Sequence, residues 1–90
     1  MRFALAIAEG RVRAAGGDVA GASKALEATI GEARKGGLQG YELEARLALG
    51  EVEMRSGRAD AGWPRLQAVE SEARAKGLEL LARQAAAGAR

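Results

Sequence analysis

Seven residues, EARKGGL, occupy positions 32–38, and a near copy, EARAKGL, occupies 72–78. The offset of forty holds well beyond the heptapeptide. Ala8 aligns with Ala48, Gly10 with Gly50, Val12 with Val52, Gly17 with Gly57, Leu26 with Leu66, Ala28 with Ala68 and Ala45 with Ala85. Self-similarity at a fixed period of this size restricts the chain to an architecture in which one supersecondary unit is laid down twice. The matches fall on glycines at turn-like places and leucines at core-like places. The period therefore marks structure rather than composition.

The unit itself is helical. Apolar residues make up 48% of the chain but only three are aromatic, Phe3, Tyr41 and Trp63, and the rest is mostly the helix formers Ala and Leu. Residues 2–15 place Phe3, Ala4, Ile7, Ala8 and Val12 at helical spacing. Gly16-Gly17-Asp18 then supplies a glycine C-cap and an acidic N-cap. A second helix, 19–35, carries Val19, Ala22, Leu26, Ile30 and Ala33 on one stripe and ends at Lys35-Gly36-Gly37-Leu38. Each heptapeptide is thus expected to close a helix, with Leu38 or Leu78 folding back over the end.

The second unit repeats the plan. A helix over 40–55 turns Leu43, Leu47, Ala48 and Val52 inward, Ser56-Gly57 turns the chain, and a helix over 59–76 uses Gly62, Trp63, Leu66, Val69 and Ala73. Pro64 suits only a first turn, so this helix either starts near Ala61 or bends there. A fifth helix over 78–88, with Leu78, Leu81, Ala82 and Ala85 inward and Arg83, Gln84 and Arg90 outward, has the composition of a cap. The expected fold is all-α: a single domain of repeat 1 (about 1–38), repeat 2 (about 39–77) and a capping helix (78–90).

The stretch ARLALGEVEMRSGRADAGWPRLQAV, residues 45–69, resembles the tetratricopeptide repeat family. Leu49-Gly50, the turn glycine Gly57, the small Gly62 and the large Leu66 stand where that family's pattern has them, and Gly10, Gly17, Ala22 and Leu26 stand there in the first unit. Departures are the forty-residue period, Arg46 and Ala6 in place of an early aromatic, Glu53 and Arg13 in place of a tyrosine, and no closing proline. The resemblance implies a superhelix of antiparallel hairpins at the end of an array, part of a larger bacterial regulatory or signalling protein. Its open groove would be lined by Arg11, Glu44, Glu51, Met54 and Arg55, and its partner would be a protein or peptide. A plain antiparallel bundle is the competing fold: a stack joins the first helix to the second and third, whereas a bundle also brings it against the fourth.

Catalysis is disfavoured by what the chain lacks. With no His and no Cys, most general bases near neutral pH, nucleophile–base pairs and transition-metal sites are removed, and no cofactor motif is present. The carboxylate pairs Glu42/Glu44, Glu51/Glu53 and Glu70/Glu72 are two residues apart, so on a helix they diverge. The 14 basic and 12 acidic side chains are interleaved, without the one-signed stripe of a nucleic-acid binder. No run reaches the ~18 apolar residues of a membrane span. A cytoplasmic, non-catalytic interaction module is the expectation. The alternative is a bundle that self-associates through Phe3, Leu5 and Ile7 of the first helix.

Overall fold

The computed structural model describes residues 2–90, which form five α-helices: α1 (Arg2–Ala15), α2 (Val19–Lys35), α3 (Gln39–Arg55), α4 (Ala59–Ala75) and α5 (Glu79–Gly88). Three-residue turns join them, so successive helices are antiparallel neighbours. At each turn one glycine takes a left-handed backbone: Gly17 (φ 97°), Gly37 (φ 70°), Gly57 (φ 81°) and Gly77 (φ 76°). A side chain at such φ costs roughly 1–2 kcal/mol, which glycine avoids. These four are spaced by twenty residues, so the backbone repeats twice as finely as the side chains do.

The heptapeptides lie at these corners, closing α2 and α4. The Leu38 N–H donates to the Ala33 carbonyl (2.9 Å) and the Gly37 N–H to Arg34 (3.1 Å). Leu78 and Gly77 make the same bonds to Ala73 (2.8 Å) and Arg74 (3.1 Å). This crossed pair satisfies carbonyls that a helix end otherwise leaves without donors. At the start of α2, the Asp18 carboxylate accepts from the Gly21 N–H (3.0 Å), while α3, α4 and α5 begin without a side-chain cap.

Packing is sequential. Each helix meets the next, α3 also touches α1 and α5, and among the described residues α1 makes no contact with α4, nor α2 with α4. The result is a slab of 33 × 30 × 17 Å. α1, α3 and α5 form one layer, and α2 and α4 form the other.

Two clusters make the core, and α3 serves both. Ala45, Ala48, Leu49 and Val52 pack with Ile7, Leu26 and Ile30. Leu43 and Leu47 pack with Leu66, Val69 and Ala85. Leu26 and Leu66 are fully buried in matching surroundings, each seated over the glycine of its partner helix. A Cβ on Gly10 would lie 2.8 Å from Leu26 Cγ, and one on Gly50 would lie 2.6 Å from Leu66 Cδ2. The mid-helix glycines therefore exist to let a buried leucine approach.

Several expectations need correction. Val12 is 71% exposed and Trp63 is 48% exposed, so neither is core. Helix α4 does not start near Ala61: it begins at Ala59, where the 59–76 range put it, and carries Pro64 as its sixth residue, beyond the first turn. A proline there has no N–H for the Asp60 carbonyl. Leu78 is the residue flanking α5 rather than its first.

Candidate functional site

The face of the α1–α3–α5 layer that points away from α2 and α4 remains open. It comprises Ala4 and Arg11 of α1, Gly40, Glu44, Glu51 and Arg55 of α3, and Leu80 and Gln84 of α5. At the end where these three helices begin, the face opens into a groove of about 870 Å³. Its walls are Ala4, Tyr41, Leu80 and Leu81 with the turn residues Leu38 and Leu78, and its polar groups are Gln39, Glu44, Glu79 and Gln84. Tyr41 is held by the Phe3 ring, centroids 5.5 Å apart. At the other end a smaller cleft of about 400 Å³, between α1, α2 and α3, is edged by Arg11, Glu51 and Arg55.

Of the expected groove residues, Arg11, Glu44, Glu51 and Arg55 share this open face. Arg11 and Glu51, repeat-equivalent positions, are ion-paired across it. Met54 lies elsewhere, half-buried against the Leu66 cluster and beside Gly62, because it is one helical step away and points at α4. The expected self-association face is likewise divided. Ile7 is buried in the core and Phe3 stacks on Tyr41, while Leu5 stands 63% exposed on the opposite side of α1. Residues 3 and 7 are one turn apart and share a face; residue 5 between them does not.

Two of the residues that depart from the repeat pattern, Glu53 and Arg46, have partners that the sequence did not reveal. Glu53 is buried and accepts two bonds from Arg65, at 2.8 and 3.3 Å. Arg46 donates a fork of two bonds to Glu72, at 2.9 and 2.7 Å, with Glu42 at 3.9 Å and Arg34 paired to Glu42 at 2.8 Å. This lattice ties α2, α3 and α4 along the rear edge. The heptapeptide glutamate is used alike in both copies, since Arg2 of α1 holds Glu32 at 2.9 Å. The carboxylate pairs do diverge: Glu51 turns to Arg11 and Glu53 to Arg65.

Removing Arg65 leaves a buried carboxylate without its countercharge. Arg65→Met is expected to cost about 1–3 kcal/mol, the cost of an unsatisfied buried group and less than that of a fully buried broken pair, because the site is only partly dry. Adding Glu53→Gln should recover part of the loss in urea denaturation. A double variant as unstable as the sum of the singles would show that the two residues act separately.

The Arg46 hydrogen bonds hold the Glu72 carboxyl below its ordinary 4.5, and Glu72 in turn raises Arg46. A depressed acid stabilises the folded state fully above its unfolded pKa. The contribution disappears as pH falls through the folded value. Glu72 is half exposed, so the effect is at most ~1 kcal/mol. Wild type should lose slightly more stability than Arg46→Met between pH 5 and pH 3; parallel curves would remove the pair from the acid response.

Among the described residues no group of three or more His, Cys, Asp or Glu side chains is placed to hold a metal, and no helix is long and apolar enough to cross a membrane. The class that the fold defines is all-α, built from packed adjacent helices. No family model matches the chain, and neither the curated proteins nor the solved structures compared with it give a match.

Proposed function

We propose that this chain is a non-catalytic, tetratricopeptide-like interaction module of the cytoplasm whose α1–α3–α5 face receives a segment of another protein. One observation carries the reading: three helices of like direction lie side by side with their common face uncovered, and that face contains an apolar groove. Recognition surfaces of protein partners are apolar at the centre and polar at the rim, as here. The order of contacts also favours a curved stack over a bundle, since α3 touches both α1 and α5 while α2 and α4 do not meet. A photoreactive amino acid at Glu44 or Gln84 should crosslink to a protein partner in the native host, and one at Gln67, exposed on α4, should not. Crosslinks of equal yield from all three positions, or none from Glu44 and Gln84, would refute the reading.

Repeat equivalence favours a second surface. Val52 with Ala45 and Ala48 packs against the α2 cluster. Their counterparts on α1 are Val12, Leu5 and Ala8, all exposed. This stripe, rather than Phe3 and Ile7, is where self-association through the first helix would occur. Sedimentation should then show dimers that Leu5→Glu with Val12→Glu converts to monomers; wild type that stays monomeric at 0.1 mM-order concentrations (roughly the weak end of specific association) removes this surface.

A further inference from the structure

We propose that the apolar groove at the start of α1, α3 and α5 takes a segment pairing bulky aliphatic side chains with lysine or arginine, an inference that rests on the interaction-module reading above. The groove's volume suits a few side chains rather than a whole domain. Its apolar surface is accessible: Leu80 is 70% exposed, and Leu38 and Leu78 remain partly exposed although each closes a helix. Such surface gains from burial by aliphatic groups.

The charge of the lining selects the rest of the ligand. It contains two carboxylates, Glu44 and Glu79, and no lysine or arginine, in a chain whose net charge is +2. Glu32, Glu42, Glu51, Glu53 and Glu72 are neutralised by arginines from other helices or distant positions, whereas the groove's acids are not. Glu44 has no ion pair among the described residues, and Glu79 has only a 3.9 Å contact with Arg83 that both side chains make in solvent. Two carboxylates at the edge of an apolar surface attract a cation carried on an apolar segment and repel an acidic one.

The test uses the full chain and two blocked synthetic peptides, one alternating leucine with lysine and the other leucine with glutamate. The readouts are amide shifts in nuclear magnetic resonance and affinity by titration. The lysine peptide should shift Leu38, Tyr41, Leu80 and Gln84 and bind about tenfold tighter than the glutamate peptide at low salt. The preference should shrink at ~0.5 M salt. Glu44→Gln with Glu79→Gln should abolish the preference while leaving the fold intact, since both side chains are exposed. Leu80→Ser should weaken both peptides. Equal affinities, a stronger glutamate peptide, or no binding at the groove would each overturn the proposal. Shifts confined to Arg11, Glu51 and Arg55 would overturn it too, yet leave the interaction-module reading standing; crosslinks absent from Glu44 and Gln84 in the host would instead remove that reading.

Discussion

Gly50→Leu should destabilise the protein by about 3 kcal/mol or more, the upper end of overpacking costs. For a chain of this size that lowers the melting temperature by roughly 12–24 °C. A Cβ at Gly50 would already stand 2.6 Å from Leu66 Cδ2 and 2.8 Å from Leu66 Cγ, and Leu66 is fully buried with nowhere to move. Gly62 narrows the same contact, since a Cβ there would lie 2.8 Å from the Gly50 carbonyl oxygen. Gly40→Leu, by contrast, should change the melting temperature little, because Gly40 is exposed with nothing within 4 Å of its Cβ position. Gly31→Ala, in open space on α2, should stabilise by about 0.5–1 kcal/mol through helix propensity. Equal thermal transitions for Gly50→Leu and Gly40→Leu would mean that the glycine at 50 has no packing role.

Leu66→Ala should cost about 3–5 kcal/mol, and Leu26→Ala a similar amount, because each empties a fully buried site. The equality matters as much as the size. It follows from two leucines set over two glycines in equivalent hairpins, and a difference above ~2 kcal/mol would deny that equivalence. The pair Gly50 and Leu66 should also be coupled. Alanine at 66 withdraws the atoms that a methyl group at 50 would strike, so Gly50→Ala combined with Leu66→Ala should be more stable than the summed single effects by about 1 kcal/mol or more. Midpoints of urea unfolding at constant slope would report it. Strict additivity would show that α3 and α4 relax away from each other when either residue changes.

Much of the fold was legible because its rules act within one helical turn. The glycine–leucine corners, the α2 stripe of Ala22, Leu26, Ile30 and Ala33, and the Asp18 cap each depend on residues at most five apart. The α3 helix was readable in part: Leu43, Leu47, Ala48 and Val52 stood out as inward. That Ala45 and Leu49 are buried too follows only from its position between two hairpins. The ion-pair lattice was not legible at all. Arg46 with Glu72 and Glu53 with Arg65 are separated by 26 and 12 residues, and single-sequence spacing carries no signal for such partners. Four of the five expected groove positions fell on one open face because residues 44, 51 and 55 share a helix side. Met54 missed it by a single residue step, about 100° of rotation.

The sequence by itself determined where the chain turns and which leucine each helix drives inward, since glycine φ and helical period are local properties. Only the tertiary structure decided which copies of an identical residue would be covered. Val12 and Val52 occupy the same place in the repeat, yet α2 buries the second and no helix among the described residues lies against the first. The reason is physical. Burial is a property of two surfaces meeting, and the second surface is not encoded at the position it covers.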